Sequence, residues 1–226
     1  MNNYLQFGYQ LEKPGNINPF TLLASSESSH SYLKTSVEFN YRLSYYGKKK
    51  GLDIRLFAGA MLKNDPTVPF YSLSASGRSG PEQYLYEGTF PDRFSTFPTS
   101  FWSRQMSFSE GGLVSPVNNQ LGYSRWLVSL SLTSNLPGKT QRIPIKPFVN
   151  LLLNDHGMGN GHNSSFFYEA GLKAGLWNFF EIYIPLVVSG NIESINGSIK
   201  DRIRLVFNLD TFSQVKLNSG IGFEIK

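Results

Sequence analysis

The stretch SFFYEAGLKAGLWNFFEIYIPLVVS, residues 165–189, decides the predicted fold. Successive side chains of a β-strand point to opposite faces of the sheet, so residues two apart share a face. From Phe166 to Leu176 every second residue is apolar, and small or charged residues occupy most positions between them. The alternation starts again after Trp177 and Asn178. Two alternating runs with almost nothing between them predict a tight antiparallel hairpin.

The same alternation predicts further strands on both sides of this hairpin. The clearest are Tyr4–Glu12, Tyr32–Tyr46, Leu52–Lys63, Arg125–Ser134, Ile143–Asn154, 202–209 and Val215–Ile225. Weaker candidates lie in a part rich in Gly and Pro: Phe70–Ser76, Gln83–Phe90 and Ser100–Phe108. Clusters of Pro, Gly, Asn and Ser predict loops over 13–30, 155–164 and 190–200. Pro144 and Pro147 predict an irregular start for the strand that contains them.

These patterns predict an all-β fold, an antiparallel transmembrane β-barrel of about 10–12 strands that forms one domain over residues 1–226. A soluble sandwich also alternates, but its strands average about five or six residues. The predicted strands are nearer to the roughly ten residues with which a tilted strand crosses a bilayer. Residues 64–123 form an irregular, loop-rich part, compatible with long loops or with a segment folded into the lumen. The predicted long loops change ends of the barrel along the chain, so we expect a miscounted strand within 64–123.

Composition limits the class of protein. Of the 226 residues 40% are hydrophobic, yet no run of about 18 apolar residues exists, which excludes a helical membrane protein. Aromatic residues reach 15%, an excess that aromatic girdles at two membrane interfaces would explain. The absence of cysteine excludes disulfides and thiolate metal sites. The net charge is +5, but apart from Lys48–Lys50 the basic residues are scattered singly, so no nucleic-acid partner is expected.

Charged residues on the polar faces of the predicted strands are the candidate functional residues. We expect the following to line the lumen: Glu38, Arg42, Asp53, Arg55, Arg125, Lys146, Glu169, Lys173, Glu181, Arg202 and Arg204. One interpretation is a network of ion pairs that offsets desolvation and fills a narrow barrel. The other is a selectivity lining for anionic solutes, as rings of charged side chains provide in pores. An interior of this size is largely filled by side chains, so diffusion of large solutes is not expected.

Histidines do not indicate catalysis or metal binding. The chain has three, and DHGMGNGH at 155–162 places His156 and His162 with Asp155 in a Gly-rich loop. A zinc site needs three or four convergent ligands on a rigid element, and one adjacent Asp–His pair does not define an acid–base dyad. GMGNG lacks the GK[ST] signature of a phosphate-binding P-loop. We therefore predict no catalytic, cofactor-binding or metal-binding residue and no enzyme activity.

The N-terminus MNNYLQFGYQLEK shows none of the regions of an export signal. A bacterial outer-membrane protein requires one, so we expect either a mature form or a C-terminal piece of a longer protein. The early start of the first predicted strand favours the second.

Three segments resemble a known family: GLDIRLFAGAML (51–62), SGPEQYLYEG (79–88) and YEAGLKAGLWNFFEIYIPLVVS (168–189). They look like the C-terminal outer-membrane β-barrel region of Gram-negative envelope proteins that carry an M1-type metallopeptidase domain ahead of it. The HExxH motif and downstream Glu that mark the peptidase part have no match here. The resemblance therefore implies the membrane anchor without the enzyme, and no zinc ligand or catalytic residue is carried over.

Pattern and resemblance together predict an outer-membrane β-barrel that acts as a membrane anchor or as a component of an envelope protein assembly, without catalysis of its own. The expected location is the bacterial outer membrane, and no cofactor is expected. The expected partners are outer-membrane lipid and other envelope proteins or an N-terminal enzymatic domain. Two alternatives stay open: a narrow channel or transporter for small solutes, and a soluble β-barrel that binds an apolar ligand.

Overall fold

A computed structural model describes residues 4–45, 50–63, 72–75, 110–115, 117, 123–136, 144–155, 164–177, 180–193 and 198–207. Within these ranges the protein is an all-β fold built on one nine-stranded antiparallel sheet. Its strands are β1 (Tyr4–Lys13), β2 (Phe20–Ser29), β3 (Leu33–Ser44), β4 (Gly51–Lys63), β7 (Trp126–Ser134), β8 (Ile145–Asp155), β9 (Ser164–Trp177), β10 (Phe180–Val188) and β11 (Arg204–Phe207). They neighbour each other in this order, as in a meander.

Four short elements accompany the sheet. Strands β5 (Leu73–Ser74) and β6 (Tyr123–Ser124) pair with each other as a separate two-stranded sheet. Two single-turn helices, α1 (Gly190–Glu193) and α2 (Ile199–Arg202), lie between β10 and β11. No helix in the described ranges has the length and apolar character needed to span a membrane.

The hairpin predicted over residues 165–189 is confirmed as β9 and β10. Their ladder runs from Trp177 opposite Phe180 to Glu169 opposite Val188, with register shifts near both ends. Pro185 lies beyond Tyr183, the last β10 residue that pairs with β11. Likewise, Pro147 of β8 comes before Phe148, the first β8 residue that pairs with β7. Both prolines therefore occupy positions with a partner strand on one side only, where a missing N–H donor is tolerated.

Strand β2 corrects the predicted loop over residues 13–30. It pairs along its whole length with β1 and almost its whole length with β3, so only the turn 14–19 separates β1 from β2. The strand missing from the sequence count therefore lies in 20–29, and most of 64–123 lies outside the described residues. With β2 included, the strand ends that flank 14–19, 45–50, 135–144 and 178–179 lie at one end of the sheet, called the turn end. The strand ends that flank 30–32, 64–125, 156–163 and 189–203 lie at the other, called the loop end.

The two faces of the sheet differ in chemistry along matched rows. On one face, here called outer, cross-strand partners form the apolar row: Leu11, Leu22, Phe39, Leu56, Leu130, Leu151 and Tyr168. On the other face, called inner, the same seven strands form the polar row: Glu12, Thr21, Asn40, Arg55, Ser131, Asn150 and Glu169. Each polar-row residue is the chain neighbour of an apolar-row residue. The pleat therefore separates the two chemistries completely across seven strands.

Two segments of the chain, residues 72–75 and residues 110–115 with 117, cover part of the inner face, and we call them the plug. Leu73, Ala75 and Leu113 of the plug are fully buried, and they cluster with inner-face residues of the sheet such as Phe57 and Leu152. A second cluster joins Val114 to Phe148, Tyr183 and Val206. The protein core therefore lies between the plug and the face that carries the charged residues.

Within the described residues the sheet is open, with β1 and β11 as its edges. The predicted strands Gln83–Phe90, Ser100–Phe108 and Val215–Ile225 lie outside the described residues. Of the strand predicted over 202–209, Arg204–Phe207 is confirmed as β11, whereas Arg202 belongs to α2.

Candidate functional site

Glu169 of β9 anchors the plug to the sheet. Its side chain is fully buried, and its two carboxylate oxygens accept hydrogen bonds from the backbone N–H groups of Val114 (2.5 Å) and Ser115 (2.9 Å). Asn150 of β8, opposite Glu169 in the ladder, donates a third from Nδ2 to Oε1 at 2.7 Å. Hydrogen bonds to an ionised group are stronger than those between neutral groups, and burying a carboxylate without them is costly. The anchor therefore holds the plug through two of its backbone N–H groups.

Glu110 forms a second anchor nearer the loop end. Its Oε1 lies 2.9 Å from Lys34 Nζ of β3, and its Oε2 accepts a hydrogen bond from the backbone N–H of Ser74 at 3.2 Å. Its backbone oxygen accepts from Arg55 Nη1 at 3.2 Å and from Ser129 Oγ at 3.0 Å. Burial raises the pKa of the Glu110 carboxyl, but the Lys34 ammonium and the backbone hydrogen bonds outweigh burial and hold that pKa below its usual value.

At Gly112 the backbone of the plug comes close to the sheet. Its φ of +65° is in the left-handed region, and a Cβ at this position would lie 2.8 Å from Ser131 Oγ and 3.1 Å from Arg55 Nη1. Both conditions favour glycine. The plug backbone can therefore lie directly on the polar row.

Three further ion pairs connect neighbouring strands on the inner face. Arg55 donates from Nε and Nη2 to the two carboxylate oxygens of Glu38, both at 3.0 Å. Arg42 Nε lies 2.5 Å from Asp53 Oδ1, directly across the β3–β4 ladder. Lys173 Nζ lies 2.7 Å from Glu181 Oε2 and 5.1 Å from the centroid of the Tyr183 ring. The pairs are partly exposed, so each contributes about 0–1 kcal/mol, and together they fix side-chain positions on the inner face.

A cavity of about 470 Å³ occupies the half of the inner face nearer the turn end. Gly112 of the plug and Pro14 and Pro19 of the β1–β2 turn are among its lining residues. Charged lining residues are Arg42, Asp53, Arg55 and Lys173, and uncharged polar ones include Asn40, Asn150, Ser131 and Thr133. The plug fills the other half, so the inner face is divided into a packed half and a hollow half lined by apolar as well as charged and polar residues.

The structure places eight of the predicted charges on the inner face of the sheet: Glu38, Arg42, Asp53, Arg55, Lys146, Glu169, Lys173 and Glu181. Arg204 of β11 is buried opposite Tyr183 and donates to the backbone oxygens of Asp201 and Ile203. Arg202 differs from the prediction because it lies in α2, where it is buried and donates to the backbone oxygen of Leu186. Arg125 also differs, because it lies in the bend before β7 with an exposed side chain.

Sequence reasoning missed the partners that hold the plug. Lys34, which bonds to Glu110, was visible as a charge on the polar side of its strand but was not among the predicted lumen residues. Glu110 had no signal, because it precedes two glycines in a region without alternation. Of the histidines, His30 is exposed and His156 and His162 lie outside the described residues. The described ranges contain no group of three or more His, Asp and Glu side chains arranged to hold a metal ion.

Together, these features define an antiparallel β-sheet protein with an apolar outer face and a charged inner face closed in part by its own chain. Neither protein-family models nor curated protein sequences match this chain.

Proposed function

We propose that the protein is an outer-membrane β-barrel whose outer face contacts lipid and which serves as a membrane anchor or a component of an envelope assembly. The observation that carries the proposal is the distribution of exposure. On the outer face Phe166 is 54% exposed and Leu56 is 43% exposed, whereas on the inner face Glu169 is 0% exposed. Soluble monomers rarely expose a continuous apolar surface of this kind. In a bilayer the same surface is satisfied by lipid.

Closure of the sheet is part of this proposal. A barrel requires β1 to pair with a strand that follows β11, and the sequence offers Val215–Ile225, where Ile221, Phe223 and Ile225 alternate. The nine strands of the sheet and this one make ten, an even number as bacterial barrels have. Closure would also remove the exposed edge of β1, which otherwise offers unpaired backbone groups next to Leu5, Phe7 and Tyr9.

The plug favours an anchor over an open pore. The plug fills the inner face toward the loop end, and Glu169 and Glu110 fix it by hydrogen bonds. Conduction would require these contacts to break. The family resemblance of the sequence adds a partner to the proposal: an enzymatic domain, or another envelope protein, that the barrel holds at the membrane.

Refolding tests the proposal. We expect the chain, diluted from urea, to become β-rich only with detergent or lipid and to migrate faster on a gel before heating than after it. A stable monomer in plain buffer would contradict the membrane location. Deleting residues 215–226 should abolish the heat-dependent migration, and unchanged migration would contradict the proposed closure.

A narrow channel is the second candidate, and the cavity beside the plug is the observation that favours it. Its lining carries Arg42, Arg55 and Lys173 against the single carboxylate of Asp53. A channel for small anions would show anion-selective conductance in planar bilayers, whereas an anchor closed by its plug would show none. The third interpretation, a soluble barrel with an apolar ligand, requires the apolar row to be interior, and it is disfavoured by the 43% exposure of Leu56 and the 40% exposure of Tyr168.

A further inference from the structure

We infer that the cavity at the turn end is a binding site for a small phosphate-bearing molecule. This goes beyond an anchoring role, since a barrel that binds no phosphate could still be an anchor. The inference starts from Lys146 and Lys173, which are direct partners in the β8–β9 ladder on the inner face. Direct cross-strand partners have Cβ atoms about 4.5–5.5 Å apart, and like charges there are destabilising. An anion between the two ammonium groups removes that cost.

Hydrogen-bond donors without acceptors point to the same place. Lys146 has no hydrogen-bond or ion-pair partner among the described residues. Lys173 uses one bond, to Glu181, and Arg42 bonds to Asp53 through Nε alone, which leaves both of its terminal nitrogens available. An Arg fork and two ammonium groups are all donors and suit the several acceptor oxygens of a phosphate.

The cavity gives such an anion a place and a limit of size. Arg42 and Lys173 both line it, and Lys146 lies one position along the inner face from its lining residue Phe148. A volume of about 470 Å³ exceeds one phosphate group, so the ligand carries an organic part as well. The side chains of Asn40, Thr133 and Asn150 can form hydrogen bonds with that part. The rings of Phe148 and Tyr183 pack edge-to-face with centroids 5.4 Å apart and form an aromatic wall of the cavity. Polar groups beside an aromatic wall suit a phosphorylated sugar better than a lipid headgroup with its acyl chains.

Calorimetric titration of the refolded protein in zwitterionic detergent tests the inference with inorganic phosphate and glucose 6-phosphate as probes. Chloride at equal ionic strength and unphosphorylated glucose are the controls. We expect both phosphates to bind, glucose 6-phosphate more tightly, and neither control to bind. Absence of binding by both phosphates, or equal binding of glucose, would overturn the inference.

Two variants make the test specific. Lys146→Gln removes a cation that has no described partner, so the protein should fold and melt at an equal or higher temperature, while phosphate binds about tenfold more weakly. Lys63→Gln, at the loop-end terminus of β4, removes an equal charge away from the cavity and should leave phosphate binding unchanged. Unchanged affinity in Lys146→Gln, or an equal loss in both variants, would contradict the assignment of the site.

Discussion

The apolar row and the polar row cross the same seven strands one residue apart, and they have opposite relations to solvent. In a soluble protein the apolar row would be the interior. Here Leu56 is 43% exposed, while its chain neighbour Phe57 is 4% exposed beneath the plug. The sheet therefore has two apolar environments: a packed core formed with the plug, and an outer row that is in part exposed. We propose that lipid covers this outer row.

Among the variants of the inner face, Glu169→Ala is expected to lower the free energy of unfolding the most. It leaves the N–H groups of Val114 and Ser115 and the amide of Asn150 without their acceptor in a buried place. We expect a loss of about 4 kcal/mol in the free energy of unfolding, measured by urea titration in detergent. Asp53→Ala, which breaks a partly exposed ion pair, is the control and should cost about 1 kcal/mol or less. Equal effects of the two variants would contradict the role of Glu169 as an anchor.

Leu56→Arg tests whether the outer face contacts lipid. If the apolar row lies at the middle of a bilayer, arginine at position 56 should lower the free energy of unfolding in lipid vesicles by about 2–4 kcal/mol. Near the membrane interface the loss should be about 1 kcal/mol or less. Leu62→Arg is the control, because Leu62 is also a leucine of β4 but lies at the loop end, at a register shift of the β3–β4 ladder, with 66% exposure. On an ordinary water-exposed surface, both variants would change the free energy of unfolding by less than about 0.5 kcal/mol. That result would contradict a lipid-covered outer face.

Gly112→Ala tests the contact between plug and polar row. A Cβ would meet Ser131 Oγ at a φ of +65°, so we expect a loss of about 1–2 kcal/mol in unfolding free energy. Gly8→Ala on β1 has nothing within 4 Å and should be neutral. A neutral Gly112→Ala would mean that the plug does not lie on the sheet as described.

The smallest effect is the pH dependence of the Glu110 anchor. Because the pKa of Glu110 is lower in the folded protein, its ionised form adds stability above the ordinary glutamate pKa of about 4.3, and this is lost as pH falls through the lower folded value. The free energies of unfolding of the wild type and Glu110→Gln, measured by thermal melting, should therefore differ by up to about 1 kcal/mol at pH 7 and become equal in acid. A difference that stays constant down to pH 3 would contradict the ion pair with Lys34.

Sequence reasoning could predict the outer face and the strands that form it, but not the plug. The alternation of Leu56 with Arg55 and of Tyr168 with Glu169 is local information, so both strands and faces followed from the pattern. Strand β2 was missed because Ser25, Ser26 and Ser28 remove the contrast between its faces, and pairing with β1 and β3 defines it instead. The plug is held mainly by hydrogen bonds from its backbone N–H groups to Glu169 and by the close approach at Gly112. Such contacts leave no alternating pattern in the sequence.

The central claim is that lipid covers the outer face, and consecutive residues of β3 test it most directly. Phe39 belongs to the apolar row and Asn40 to the polar row, and the chain has no cysteine, so Phe39→Cys and Asn40→Cys can each carry a single spin label. In lipid vesicles, collisions of each label with oxygen and with a water-soluble nickel chelate are measured. We predict that the label at 39 is relaxed by oxygen and shielded from nickel, and that the label at 40 shows the reverse preference. A label at 39 that is fully accessible to nickel would contradict the account.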